Sequence, residues 1–159
     1  MTVALYLTIW LALALFAAGE TGRRGWRGAA PPVWAWWASA SGLALAVAHV
    51  VLAFDVRHEW SHDSAFLDTA RQTSAVYGLD WGGGLYVNYA FLAVWALDLW
   101  TWRNAVRRKT RRAGAGVWLA RAFYFIVIVN AAVIFAGGMR RALGVLLVVW
   151  LVLAWRRAN

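Results

Sequence analysis

The sequence predicts an all-α integral membrane protein, a bundle of five transmembrane helices with a helical extramembrane segment between the second and third. Three observations predict it. Of 159 residues, 63% are hydrophobic and only 14% are charged, more apolar side chain than one soluble core of this size needs. The apolar residues fall in long blocks, each near or above the roughly 20 residues with which a helix crosses a bilayer. Between the blocks, Lys and Arg gather in alternate loops. The chain reads as a single membrane domain.

The first block, Thr2 to Ala18, has no basic residue before it, the pattern of a retained span and not of a cleaved signal peptide. The second, Val33 to Phe54, carries a row of small residues, Ala38, Gly42 and Ala46, that lets a neighbouring backbone approach. The third, Leu85 to Trp102, is preceded by Gly82 to Gly84, a flexible lead-in without the lysine and hydroxyl residue of a phosphate loop. The fourth is Val117 to Ala136. The fifth, Ala142 to Trp155, is short and spans if Arg140, Arg141, Arg156 and Arg157 extend their stems to the two interfaces.

Cytoplasmic loops retain Lys and Arg, so the loops give the orientation. Loop one holds Arg23, Arg24 and Arg27, and loop three, residues 103–116, contains "RNAVRRKTRR". Loop two, residues 55–84, carries Asp55, Glu59, Asp63, Asp68 and Asp80 against Arg57 and Arg71. The N-terminus and loop two are therefore expected outside, with loops one and three and the C-terminus in the cytoplasm, in a plasma (inner) membrane. Arg140 and Arg141 run against this pattern. The net charge of +9 is placed beside anionic lipid head groups. No nucleic-acid partner is expected, since the basic loop lacks interleaved aromatics on which bases stack. With no cysteine, thiolate ligands, redox pairs and disulfides are excluded together.

The chain has 13 tryptophans, and Trp34, Trp36, Trp37, Trp100, Trp102, Trp118 and Trp155 lie near span ends, where indoles anchor in the head-group region. Polar residues inside spans face protein or water. Asp98 and Arg121 share a depth near the inner ends of spans three and four, and are expected to form an intramembrane ion pair that sets helix registry. Near the outer ends, His49, Asn88, Tyr89 and Asn130 are expected to line an outward-opening pocket. Arg121 and Asn130 fall on opposite faces of a straight helix, which directs Asn130 toward span two or span five.

The outer loop opens with "DVRHEWSHDSAFLD", Asp55 to Asp68. If the second helix continues past Phe54, Asp55, His58, Glu59 and His62 share one face. Two neutral imidazoles one turn apart grip a zinc or other divalent ion, and Glu59 between them takes a proton from metal-bound water. Asp68, Asp80 or Asp55 would supply the further ligand. Without a metal the same acidic segment is a solvated interfacial helix, with Trp60, Phe66, Leu67, Ala70 and Tyr77 against the bilayer.

"HEWSHDSAFLD" resembles the extended zinc-metalloprotease signature, with Ala65 where that signature has a turning glycine and Asp68 as the last ligand. "LDWG", Leu79 to Gly82, is similar to the Leu-Asp-x-Gly of membrane-embedded proteases, although it precedes a span instead of lying in one. The full chain, with five spans, many tryptophans and "PPVW" at Pro31 to Trp34, resembles the tryptophan-rich sensory (translocator) proteins. That likeness implies a five-helix bundle binding porphyrins or sterols. The long loop of that family joins helices one and two, whereas here it follows helix two.

Haem between helices is not expected, because His49, His58 and His62 all lie in one segment. Two glutamates and three histidines are too few for di-iron ligation. Ser61, Ser64, His62 and Asp68 are too close on one helix for triad geometry. Two readings remain: a metal-dependent membrane enzyme or metal-binding protein, and a non-catalytic subunit of a larger membrane complex or lipophile-binding protein.

Overall fold

A computed structural model describes residues 2–23, 32–107 and 115–156. Among these are six α-helices and no strand. They are α1 (Thr2–Gly22), α2 (Val33–Arg57), α3 (His62–Tyr77), α4 (Gly84–Arg107), α5 (Ala115–Val129) and α6 (Met139–Arg156), with α5 running on through a π turn, Asn130–Ile134. Arg24, Arg27, Pro31, Arg157 and the centre of the basic loop, 108–114, lie outside the described residues.

Among the described residues three helices are long and apolar enough to cross a membrane: Val3–Gly22, Val33–Arg57 and Ala115–Ile134. The other two blocks read as spans form helices of 24 and 18 residues, α4 and α6. At about 1.5 Å per residue these reach roughly 36 and 27 Å. They are less apolar because α4 carries Asp98, Arg103 and Arg107, and α6 carries Arg140, Arg141 and Arg156.

Side-chain contacts set the helix directions. Leu5 and Thr8 of α1 meet His49 of α2, while Gly19 and Gly22 meet Ser39 and Ala35, so the two run antiparallel. Trp36 and Ser39 of α2 bond Leu99 and Trp95 of α4, again antiparallel. Arg121 of α5 reaches Glu20 of α1, and α6 runs parallel to α1, with Arg140 over Tyr6 and Trp155 bonded to Glu20. The five long helices therefore alternate in direction, and α3 caps one end.

Small residues permit the closest approach. The buried row on α2 is Ala35, Ser39, Gly42 and Ala46, with the expected Ala38 half-buried beside it. A Cβ on Gly42 would stand 2.9 Å from the Ala12 carbonyl oxygen and 3.1 Å from the Trp95 ring. Around this seam lies an aromatic core. Phe16 meets Trp95 and Tyr124 edge-on at 4.9 and 5.0 Å between centroids, and Phe91 meets the same two rings at 5.7 and 5.6 Å. Edge-to-face geometry places positive ring edges on negative ring faces and adds to the area buried.

Candidate functional site

The His-Glu-x-x-His segment does not form the single helix that a shared ligand face requires. α2 ends at Arg57, His58 caps it, and Glu59 and Trp60 take left-handed φ angles of 48° and 59°. Ser61 then starts a new helix, its Oγ accepting from Ser64 N at 3.2 Å. Side chains other than glycine sit in this region at a cost. Here the turn is held by Ser61 N–H donating to His58 O at 2.7 Å and Trp60 Nε1 donating to Asp55 Oδ1 at 3.2 Å. The expectation of four groups on one helical face is corrected accordingly. His58 lies against the Phe54 ring on α2, and His62 lies on α3 between Tyr86 and Tyr89. Glu59 is exposed, and Asp68, on α3, accepts from Gln72. Among the described residues no three His, Cys, Asp or Glu side chains are grouped to hold a metal ion.

The interfacial reading of α3 is also modified. Ala65, Ala70 and Thr73 are buried, while Trp60, Leu67 and Tyr77 remain exposed. α3 thus turns one face to the bundle, with Phe66 against Gly82 and the Tyr86 ring.

Between α3, α4 and the end of α5 lies a cavity of about 590 Å³. Asn88 and Asn130 both line it, joined by Tyr77, Thr73 and Gln72 from α3. Apolar walls come from Val87, Ile126, Val127, Ala131, Phe135 and Trp81. His49 and Tyr89 stand elsewhere: His49 Nδ1 lies 2.9 Å from Leu5 O, and Tyr89 packs on His62 and Tyr86. Asn130 faces α3, and not α2 or α6, the second and fifth spans of the sequence reading. Tyr77 O–H donates to Asn130 Oδ1 at 2.5 Å, and Asn130 Nδ2 donates to Ile126 O at 2.8 Å.

Asn130 also opens the π turn, a feature that recurs at functional positions in helices. The turn is held from the far side by Arg141, whose Nε donates to Val133 O at 3.0 Å and Ala136 O at 2.9 Å. The two arginines that run against the charge pattern thus have local partners: Arg141 satisfies helix-end carbonyls, and Arg140 lies over the Tyr6 ring at 4.8 Å.

At the opposite end four charges are joined through α1. Arg23 donates to both Asp98 oxygens, at 2.5 and 3.0 Å, and to Glu20 Oε1 at 2.8 Å. Glu20 Oε2 accepts from Trp155 Nε1 at 2.7 Å and lies 3.4 Å from Arg121 Nε. Asp98 and Arg121, expected as a pair, are thereby linked by way of Arg23 and Glu20. All four side chains are almost fully buried. Two of the seven expected membrane anchors are buried in this cluster. Trp155 is buried as a donor to Glu20, and Trp102 is buried beneath the Arg23 guanidinium at 4.9 Å. Trp34, Trp37, Trp100 and Trp118 are exposed.

Sequence reasoning missed Glu20 and Arg23. Their signal was an acidic and a basic residue three apart just past an apolar block, a spacing that sets both on one helix face. Tyr77 was missed as a polar partner because its loop position pointed to an aromatic anchor. Compared with known proteins, the chain matches no family model, no curated protein and no solved structure.

Proposed function

We propose that this protein is a five-span membrane protein that binds a small lipophilic molecule in the cavity under α3. On this reading α4 and α6 cross the bilayer beside α1, α2 and α5, α3 lies at the outer interface, and the charged cluster lies toward the cytoplasmic side. The alternation of helix directions supports five crossings, since each long helix then returns the chain to the opposite face. The exposed apolar flanks of α1, α2, α5 and α6 are suited to lipid contact.

The observation that carries the functional reading is the cavity. Its volume of about 590 Å³ lies within the range of small-molecule sites, and its walls are mostly apolar with a few convergent amide and hydroxyl groups. A ligand of about 20 non-hydrogen atoms, at roughly 0.3 kcal/mol each, gains about 6 kcal/mol. That corresponds to a Kd in the tens of micromolar. Such a molecule reaches the site by partitioning into the bilayer first.

Photocrosslinking tests this. Protein in lipid nanodiscs, treated with a long-chain alcohol carrying a diazirine, is expected to be labelled saturably in peptides covering residues 69–88 and 126–135. Filling the cavity with Ala131→Phe is expected to remove that labelling while leaving background labelling of α1 unchanged. Equal, non-saturating labelling along every lipid-facing helix would end the proposal.

A further inference from the structure

We infer that the cavity selects an uncharged oxygen head, a hydroxyl or carbonyl on a hydrocarbon body, and that Asn88 and Asn130 read it. The inference rests on the reading of the cavity as a lipophile site and names the ligand class. Among the described residues lining the cavity there is no Asp, Glu, Lys, Arg or His. A carboxylate or ammonium head would therefore lose its water with no counter-charge to replace it. The ionised group bonded to a lining residue, among those described, is Asp68 through Gln72, and it repels an anion further.

Most of the polar lining is already committed. Thr69 and Thr73 donate their hydroxyls to Ala65 O and Thr69 O within α3. Gln72 Nε2 donates to Asp68, and the Tyr77 proton goes to Asn130 Oδ1. Among the described lining residues three amides retain capacity, and Gln72, which keeps one Nε2 hydrogen and its Oε1, is the one held beside the Asp68 carboxylate. Asn130 Nδ2 donates one hydrogen to Ile126 O, leaving its second, and the Asn88 side chain makes no hydrogen bond to the described residues. An amide offers donor and acceptor without charge, so the pair suits a neutral head that accepts from one and exchanges with the other. These two residues come from α4 and from the end of α5, so a head bonded to both bridges the two helices.

Four matched diazirine probes of equal chain length test the selection in nanodiscs of zwitterionic lipid: a primary alcohol, the carboxylate, the ammonium and the hydrocarbon. The alcohol is expected to label the cavity peptides saturably, with the carboxylate, ammonium and hydrocarbon each at least about 10-fold weaker. Competition by an unlabelled prenylated quinone, compared with an unlabelled fatty alcohol, separates carbonyl from hydroxyl heads. Asn88→Leu, at an exposed position without a side-chain partner among the described residues, is expected to bring alcohol and hydrocarbon within about threefold of one another. Asn130→Leu should do the same, and Asn88→Leu keeps the test valid if Asn130→Leu does not fold. Carboxylate labelling within threefold of the alcohol would overturn the selectivity and leave the lipophile reading in place. Absence of saturable labelling by all four probes would overturn both.

Discussion

Glu20 is the residue on which the charged cluster depends, and Glu20→Gln tests that directly. The side chain is 3% exposed and holds three partners: Arg23 at 2.8 Å, Trp155 at 2.7 Å and Arg121 at 3.4 Å. Glutamine keeps the shape and can still accept from Trp155, but it removes the negative charge between two buried guanidinium groups. Arg23 retains Asp98, whereas Arg121 loses the carboxylate beside it. Removing one member of a buried pair costs about 3–5 kcal/mol, because the remaining charge stays desolvated. With Asp98 still neutralising Arg23, the expected loss is toward the lower end, about 3 kcal/mol. For a chain of this size that corresponds to a fall of roughly 6–12 °C in Tm, measured by thermal unfolding in detergent through tryptophan fluorescence. Adding Arg121→Met removes the stranded charge, so the double variant should be more stable than the sum of the two single losses predicts, by about 1–3 kcal/mol. A Glu20→Gln Tm within about 2 °C of wild type, or strictly additive single losses, would refute the idea of a coupled four-charge network.

Gly144→Ala should destabilise by about 1–3 kcal/mol in the same assay, because a Cβ there collides with the Ala132 carbonyl in the π turn. Gly116→Ala, with open space at its Cβ, should be neutral or stabilising by up to about 1 kcal/mol, and equal losses at both positions would show that α6 does not rest on the turn. Tyr77→Phe removes the bond to Asn130, and hydrogen exchange of α3 amides should quicken by about 2–10-fold with α2 unchanged. Unaltered α3 exchange would mean that the bond does not secure the cap.

Much of the fold was legible because hydrophobic length is a coarse signal that survives packing detail. The block Val33 to Phe54 became α2 with its first residue in place, and the small-residue seam was read correctly at Gly42 and Ala46. The segment between residues 55 and 84 was legible as helical, but its break was not. Glu59 and Trp60 are neither glycine nor asparagine, so their sequence gives no cue to left-handed backbone; the cue was the Ser61 cap followed by Asp63 in the first turn of α3. The motif match therefore misled at the very residue pair where the chain turns. Depth along a span brought Asp98 and Arg121 to one end of the bundle, yet depth says nothing about which neighbour lies between them. Glu20 and Arg23 of α1 occupy that place, and burial of Trp102 and Trp155 follows, since a desolvated carboxylate and guanidinium attract an indole N–H and a ring face.

The spacing of Arg121 and Asn130 carried further than either residue did alone. Nine residues of α-helix turn a side chain by about two and a half revolutions, so the two must point in opposite directions. The structure keeps this relation because the π turn begins at Asn130 and not between the two residues. Regular α5 thus points Arg121 at Glu20 of α1 and Asn130 at Tyr77 of α3. Beyond Asn130 the wider turn advances the backbone out of α-helical phase, and Ala132 comes to rest on Gly144 of α6, where a residue with a side chain would not fit. One helix consequently meets α1, α3 and α6 at three successive levels. Had the π turn fallen four residues earlier, Asn130 would have lost its direction toward α3, and the cavity a wall amide.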